Sequence, residues 1–116
     1  MENFTTVNPK SVKAKGRALQ NLLRDKLREA FPELHEDDIK SQTMGMTGED
    51  IILTPAARKQ IPYSFECKNQ ERIQLWKFLE QAESNADKHT PVLIIKKNRR
   101  KPYVVLDLDK WIELIK

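Results

Sequence analysis

The segment 63–68, with the sequence YSFECK, carries an acid and a lysine two positions apart. Apolar and polar residues alternate along it, which predicts a strand with Glu66 and Lys68 on one face. Asp50 lies near the start of another predicted strand and would approach Glu66 if the two strands were antiparallel neighbours. Two carboxylates can bind a hard divalent cation, and a lysine can stabilise negative charge growing on a phosphate. The three residues therefore predict metal-dependent hydrolysis of phosphodiester bonds.

Mg²⁺ is the cation that this donor set favours, with Mn²⁺ as an alternative. We expect Asp50, Glu66 and the backbone carbonyl of Cys67 to be its ligands, and Glu49 is a candidate outer ligand. The three side chains alone leave a second interpretation open. An acid and a lysine on an exposed strand face can form an ordinary ion pair, which contributes little to stability.

Basic residues are concentrated in two parts of the chain, although the net charge is only +4. One cluster lies in the first predicted helix and the other is the segment 96–101, KKNRRK. Segregated basic clusters favour binding to a phosphate backbone, although charged runs are also common on solvated faces. The candidate DNA-binding residues in these clusters are Lys13, Lys15, Arg17, Arg24, Lys97, Arg99 and Arg100.

Gly16 lies inside that first predicted helix, on the same face as Gln20 and Arg24. A glycine within a helix costs about 1 kcal/mol relative to alanine. That cost is explained if a backbone or a phosphate must approach closely at Gly16, so we include this glycine among the DNA-binding candidates. A glycine that is simply tolerated is the alternative.

The periodicity predicts an α/β protein with a central mixed β-sheet flanked by helices, in a single domain spanning 1–116. An irregular lead-in at 1–10 precedes a helix that is capped by Ser11 and runs to about Phe31. The other predicted elements are strands at 39–43, 49–54, 63–68, 92–95 and 102–106, a helix at 71–87 and a last helix at 110–115 capped by Asp109.

Several classes of protein are disfavoured by the composition. No window is long and apolar enough to cross a bilayer, and the first residues lack the pattern of a signal peptide. A single cysteine, Cys67, excludes an intramolecular disulfide framework, and its place on the apolar face of the strand predicts a core residue. These features predict a cytoplasmic protein.

The arrangement of these motifs resembles the PD-(D/E)xK nuclease superfamily. Glu49-Asp50 stands in the place of the Pro-Asp pair, and Glu66-Cys67-Lys68 is the (D/E)xK element. More narrowly, Lys15-Gly16-Arg17 with Gln20, and the segment 65–71, resemble archaeal-type Holliday junction resolvases and related small phage proteins. The resemblance implies the superfamily's fold, a homodimer, and Mg²⁺-dependent cleavage of four-way DNA junctions in a bacterial, archaeal or phage setting.

Two positions depart from the resolvase pattern. Many archaeal resolvases have a catalytic glutamate where this chain has Gln20, which can hold water or a metal ligand but adds no charge. The resemblance also implies a serine in the loop before the aspartate, and both Ser41 and Thr43 are candidates for it. Two alternatives to a resolvase stay open: another nuclease of this superfamily, such as a nickase or a flap or fork nuclease, and a DNA-binding module without catalysis.

Apolar residues exceed what one core can bury near the second long helix and the C-terminus. Trp76 and Trp111 have spacings typical of core residues. We expect part of this apolar surface to form the interface of a homodimer. The candidates are Trp76, Phe78, Leu106, Leu108, Trp111 and Ile115.

Overall fold

A computed structural model describes residues 9–43 and 45–116 of the chain. Residues 1–8 of the predicted irregular lead-in at 1–10, and Met44 of the glycine turn, lie outside the described residues. Residues 9 and 10 of that lead-in are already helical, so this part of the prediction is wrong. The elements in chain order are α1 (Pro9–Ala30), a 3₁₀ turn (Glu36–Asp38), β1 (Ile39–Ser41), β2 (Ile51–Leu53), α2 (Pro55–Gln60), β3 (Tyr63–Asn69), α3 (Leu75–Asn85), β4 (Thr90–Lys96), β5 (Tyr103–Val105) and α4 (Leu108–Ile115). The predicted α/β class is confirmed.

The strands form an antiparallel pair and a mixed three-stranded sheet. β1 pairs antiparallel with β2, and β3 pairs parallel with β4, which in turn pairs antiparallel with β5. Helix α3 makes the crossover that a parallel β3–β4 pair requires. The expected antiparallel pairing of the strands carrying Asp50 and Glu66 is not formed, because β2 and β3 belong to different sheets. They are joined instead by a backbone hydrogen bond from the Asp50 N–H to the Phe65 carbonyl, 2.8 Å long.

The two faces of the β3–β4 pair are covered by different helices. Phe65 and Ile94 belong to the main hydrophobic core, together with Leu19 of α1. On the other side of the sheet, Leu93 is fully buried and α3 contributes the buried Phe78. Because both faces are covered, β3 is buried through most of its length, including its polar residues.

The long helix α1 is fixed to the β1–β2 pair by a side chain. Arg28 donates hydrogen bonds to the backbone carbonyls of Ile39 and Glu36, each at 3.0 Å. These contacts anchor the C-terminal part of α1 beside the strand pair. The N-terminal half of the helix is thereby directed toward the C-terminal end of β3, where Lys15 accepts a hydrogen bond from Asn69.

Two helices begin at other residues than the sequence predicts. Ser11 is not the N-cap of α1, because the helix already includes Pro9, and proline suits a first turn where its missing N–H has no intrahelical partner. The cap of α4 is Asp107 rather than Asp109: its carboxylate accepts a hydrogen bond from the Lys110 N–H at 3.1 Å. Helix α4 therefore begins two residues before its predicted start at Lys110, and α1 already includes Pro9, which precedes its predicted cap.

Helix α3 begins at Leu75, four residues later than the predicted start at Glu71. The preceding residues attach this segment to the turn between β4 and β5. The Gln70 N–H donates to the Lys96 carbonyl at 3.0 Å, and the Glu71 carboxylate accepts from the Asn98 N–H at 2.6 Å. Tertiary hydrogen bonds thus take the place of the first helical turn.

The excess apolar surface lies mainly in the C-terminal part of the chain. Phe78 is buried within the monomer, so this candidate for a dimer interface is wrong. Trp76 is 75% exposed and Trp111 is 49% exposed, so the helical spacing of the two tryptophans does not make them core residues of one chain. None of the described helices is both long and apolar enough to cross a lipid bilayer.

Candidate active site

Asp50 is held by three hydrogen bonds at the point where the glycine turn leads into β2. Its N–H donates to the Phe65 carbonyl and its carbonyl accepts from the Gln42 N–H, both at 2.8 Å. Its carboxylate Oδ2 accepts from the Cys67 N–H at 2.6 Å. Gly48, just before it, has a φ of +102°, a conformation that glycine adopts without strain. The turn and these bonds fix the carboxylate against the middle of β3.

Glu66 and Lys68 lie on the α3 side of β3. Glu66 is 4% exposed, and its Oε1 accepts a hydrogen bond from the Asn85 amide at 3.2 Å. The Lys68 Nζ lies 3.6 Å from Glu66 Oε2 and 5.1 Å from the centroid of the Phe78 ring. A carboxylate and an aromatic face therefore hold the ammonium group close to the strand. Glu66 is buried and Lys68 is half-buried, unlike the exposed ion pair that the sequence left as an alternative.

Gln20 reaches the same place from α1. It is 6% exposed, and its amide opposes the rise in the pKa of the Asp50 carboxylate. The Oε1 atom of Gln20 is buried and has no hydrogen-bond partner among the described residues. An unpaired buried carbonyl oxygen is costly, and it is a suitable donor for a cation or a water molecule.

The two carboxylates share a poorly solvated site. Burial raises the pKa of Asp50, opposed by the hydrogen bond from Cys67, the charge of Lys68 and the hydrogen bond from Gln20. Burial and the neighbouring Asp50 charge raise the pKa of Glu66, opposed by Asn85 and by Lys68. Burial also raises the pKa of the Cys67 thiol, as expected for a core cysteine. Lys68 alone therefore does not compensate the two carboxylates.

These residues line a cleft of about 390 Å³ that opens to solvent. Residues of α1 form one wall, the glycine turn forms another, and the floor is made by β3 and α3. The cleft contains all four side chains that the sequence selects for catalysis: Gln20, Asp50, Glu66 and Lys68. Elements far apart in the chain thus bring these groups to one place.

The donor set at the cleft floor fits a hard divalent cation. Within residues 9–43 and 45–116, no group of three or more histidine, cysteine or acidic side chains could hold a metal ion. The oxygen donors are instead two carboxylates, Asp50 and Glu66, and the unpartnered Oε1 of Gln20. Cys67 also lines the cleft, which keeps its backbone carbonyl a candidate. A cation would compensate the buried negative charge and use the unpaired oxygen.

A comparison with protein-family models matches residues 11–116 to a family described as "Phage putative PDDEXK endonuclease". The chain belongs to this family. The match supports the superfamily resemblance drawn from the sequence, and it supports a nuclease activity for the chain. Comparisons with curated proteins and with solved structures gave no match.

The DNA-binding candidates of this PDDEXK protein fall into separate groups. Lys13, Gly16 and Thr43 line the cleft. Ser41 instead donates a hydrogen bond to Asn21 Oδ1 at 2.9 Å, so of the two candidates for the loop serine only Thr43 lines the cleft. Arg24 is also engaged, at 2.9 Å from the Asp25 carboxylate. The last group is exposed and lies outside the cleft: Arg17 on α1, and Lys97, Arg99 and Arg100 on the β4–β5 turn. Lys15 also lies outside the cleft and is half-buried.

Glu49 does not line the cleft, although it was a candidate outer metal ligand. It forms an ion pair with Arg58 of α2, which also donates a hydrogen bond to the Tyr63 carbonyl. This pair ties the residue before Asp50 to the start of β3. Glu49 of the PDDEXK protein thus contacts α2 rather than the carboxylates of the cleft.

Two asparagines at the site were not selected from the sequence. Asn85 holds Glu66, and Asn69 donates to the Lys15 carbonyl at 2.9 Å, which joins β3 to α1. Gln81 and Asn85 both line the cleft from α3. Their spacing of four residues puts both amides on one helix face, a signal that could have identified Asn85. Asn69 ends β3, and the sequence alone gives no indication of its contact with α1.

Proposed function

We propose that this PDDEXK protein is a Mg²⁺-dependent, structure-specific DNA endonuclease that resolves four-way junctions as a homodimer. One observation carries the catalytic part of the proposal. The half-buried carboxylate of Asp50 and the buried carboxylate of Glu66 meet Lys68 and the unpartnered oxygen of Gln20 in a solvent-open cleft. Mn²⁺ is the expected substitute for Mg²⁺.

A bound divalent cation would polarise the scissile phosphate and strengthen a water molecule as a nucleophile. Asp50 and Glu66 would hold that cation, and the Cys67 N–H keeps the Asp50 carboxylate in place. The Lys68 ammonium group would stabilise the negative charge that develops on the phosphate oxygens. Gln20 would orient a water molecule through Oε1 without adding charge to the site.

The same residues favour catalysis over a binding role without chemistry. Two carboxylates at the floor of a cleft would repel DNA phosphates in the absence of a cation. A protein that only binds DNA gains nothing from burying them, since burial of charged groups is costly. The intact set of Asp50, Glu66 and Lys68 therefore argues against a binding-only module.

The path of the DNA is proposed from the exposed basic residues. Lys13 lines the cleft, and Arg17 is exposed one turn further along α1. The basic turn formed by 96–101 is joined to the segment after β3 through Gln70 and Glu71. These groups would grip the phosphate backbone on either side of the scissile bond, so DNA binding should weaken steeply with salt.

The four-way junction as the substrate and the homodimer as the active form are proposed from two-fold symmetry. The described chain has one such cleft, whereas symmetric resolution of a four-way junction requires two cuts. A two-fold homodimer supplies two sites to a substrate of nearly two-fold symmetry. The exposed apolar residues of the C-terminal part provide surface for that dimer.

The deciding experiment is a cleavage assay on end-labelled substrates of matched sequence: a four-way junction, a fork, a flap and a linear duplex. Each is incubated with Mg²⁺, Mn²⁺, Ca²⁺ or excess chelator, and Glu66→Gln is the inactive control. We expect paired cuts in the junction with Mg²⁺ or Mn²⁺. Ca²⁺ should support binding without cutting, because its looser coordination misplaces the attacking water.

Other results of the assay point to other functions. Preferred cutting of a fork, a flap or one strand of a duplex would replace the resolvase proposal with another nuclease of the family. Junction binding without cleavage under any cation would favour a binding-only module. Full activity in excess chelator would contradict the metal mechanism.

A further inference from the structure

Helix α4 has an apolar face with no partner in the described part of the chain. Leu108, Trp111, Ile112 and Ile115 follow the i, i+3, i+4, i+7 spacing, so they share one side of the helix. All four are exposed, and α4 contains no buried residue. Such a face on a short helix is stabilised by packing against another surface, because short helices are marginal in water.

A second apolar surface lies between α1 and β5. Leu19, Leu22 and Leu23 form one side of a groove of about 360 Å³, and Pro102, Tyr103 and Val104 form the other. Tyr103 is 50% exposed and Val104 is 64% exposed, although both belong to a strand. Among the described strands only β4 pairs with β5, and the other edge of β5 lies beside this open hydrophobic groove.

The apolar face of α4 and the groove between α1 and β5 are both hydrophobic, and the charged residues beside them have opposite signs. Lys26 and Lys101 lie at the groove. The apolar face of α4 is flanked on one side by Asp109 and Glu113, which the helical period puts next to each other. A helix docked with its apolar face in the groove would carry its acids toward these lysines.

The connection between β5 and α4 disfavours docking within one chain. Only residues 106 and 107 separate the strand from the helix. Asp107 is fixed as the N-cap by its hydrogen bond to the Lys110 N–H, which sets the direction in which the helix leaves the sheet. Turning α4 back over the residues that precede it would break this cap.

We propose that α4 of each protomer docks in the α1–β5 groove of a second copy, so that two copies exchange their C-terminal helices about a two-fold axis. The proposal specifies the interface of the dimer in the proposed function, but it does not depend on the nuclease chemistry. In a two-fold dimer each copy gives one helix and receives one, so the contact forms twice.

This arrangement would couple the dimer to the active sites. Helix α1 supplies Leu22 and Leu23 to the groove and Gly16 and Gln20 to the cleft. A partner helix seated on α1 would therefore fix the separation and orientation of the two clefts. Such fixed geometry is what a substrate with two scissile bonds at a set spacing requires.

The first test is the oligomeric state of variants, measured by sedimentation velocity across micromolar concentrations. Trp111→Glu and Ile112→Glu alter the helix face, and Val104→Glu alters the groove. We expect each to weaken the dimer roughly thirtyfold or more. Leu114→Glu is the matched control: Leu114 is 58% exposed but lies to the side of the apolar face, and this variant should stay dimeric.

Circular dichroism should show folded protein for all four variants, because each replaced side chain is exposed in the monomer. A wild-type protein that is monomeric at these concentrations would overturn the proposal. So would equal dimerisation of the control and the three test variants.

The second test is cross-linking of mixed single-cysteine variants with a short bismaleimide. Cys67 is buried, so the introduced thiol is the reactive one. A mixture of Val104→Cys and Ile112→Cys proteins should give a covalent heterodimer, whereas neither protein alone should. Cross-linking of Ile112→Cys alone would mean that the helices pack on each other, and cross-linking of Val104→Cys alone would mean pairing of β5 edges. Either result would overturn helix exchange.

Failure of this proposal is distinguishable from failure of the proposed function. A monomer that still cleaves DNA with Mg²⁺ would overturn the exchanged dimer and leave the active site standing. A dimer linked between residues 104 and 112 that never cleaves DNA would support the interface and contradict the nuclease mechanism.

Discussion

The cleft around β3 and the segment that follows β5 differ in which kind of side chain is buried and which is exposed. Around β3, polar groups are buried and hydrogen-bonded: Glu66 is 4% exposed and Asp50 accepts a bond from the Cys67 N–H. After β5, apolar groups are exposed: Leu108 is 69% exposed and Ile115 is 60% exposed. One region buries charge and the other exposes hydrocarbon.

Each region departs from ordinary folding energetics in a way that indicates a missing partner. Buried carboxylates are unfavourable unless something compensates their charge, and a divalent cation would do so. Exposed apolar faces are unfavourable unless another surface covers them, and a second copy of the chain would do so. The chemistry of the cleft thus suits a small ion and a phosphate, whereas the surface of the C-terminal helix suits contact with a protein.

The largest loss of cleavage rate should come from replacing a charged side chain of the cleft with a neutral one. We expect Asp50→Asn, Glu66→Gln and Lys68→Ala each to lower the cleavage rate by on the order of a thousandfold or more, because these groups act on the cation and on developing charge. DNA affinity should be retained, and removing a carboxylate should increase it because less negative charge then faces the phosphates. Single-turnover cleavage and filter binding measure the two quantities. Glu80→Gln, an exposed acid on α3 outside the cleft, is the control.

A variant with a near wild-type cleavage rate would remove its residue from the proposed active site. Parallel loss of binding and cleavage would instead mean that the residue supports the fold or the DNA contact.

The next prediction compares leucines from the two regions. Leu93 is fully buried beneath α3, so Leu93→Ala should lower the free energy of unfolding by about 2–5 kcal/mol. Leu114 is 58% exposed on α4, and Leu114→Ala should change the free energy of unfolding by less than about 0.5 kcal/mol. Urea denaturation followed by circular dichroism measures both. Similar losses for the two leucines would contradict the view that α4 is peripheral to the monomer core.

Gln20→Ala should have a smaller effect than the three central substitutions. Its amide orients groups at the cation but supplies no charge, and residues in that role typically contribute ten- to a hundredfold, so we expect a loss of about that size. The rate should recover partly at higher Mg²⁺ concentration if Gln20 helps to hold the cation. Cleavage measured over a Mg²⁺ titration distinguishes the two roles. A variant as inactive as Asp50→Asn would make Gln20 a primary catalytic residue.

Much of the cleft could be predicted because its chemistry lies in short patterns. The period of a strand puts Glu66 and Lys68 on one face, and a glycine turn marks the approach of Asp50. The contact that unites them could not be predicted in detail. It is a backbone bond from Asp50 to Phe65 between two separate sheets, not the regular strand pairing that the sequence favours.

The fold was predicted best where periodicity decides and worst where tertiary contacts override it. The late start of α3 depends on Glu71 binding the Asn98 N–H, a contact between residues far apart in the chain. Spacing alone likewise suggests core positions for Trp76 and Trp111, because a helical stripe looks the same whether it packs within a chain or against a partner. Sequence periodicity identifies an apolar face but not what covers it.

The smallest expected effect tests whether acids outside the cleft also stabilise the monomer through hydrogen bonds. Asp38 joins the segment before β1 to the residue after β2: its carboxylate accepts from the Thr54 hydroxyl at 2.6 Å and from the His35 N–H at 2.8 Å. The hydrogen bond from Thr54, followed by the one from His35, holds the pKa of Asp38 below its ordinary value of 3.8. The ionised form is therefore favoured in the folded state.

Because the pKa of Asp38 is lowered in the folded state, the direction in which its contribution to folding stability changes with pH is fixed. The contribution of Asp38 to stability is present above pH 3.8 and is lost as the pH falls through the lower pKa of the folded state. Asp38→Asn should therefore melt below the wild-type temperature at pH 7, and the difference should narrow as the pH is lowered past 3.8. Glu33→Gln, which replaces an exposed acid after α1, should melt with the wild type throughout. A difference for Asp38→Asn that stays constant down to pH 2.5, roughly a unit below the ordinary aspartate range, would mean that shape rather than charge makes the contribution.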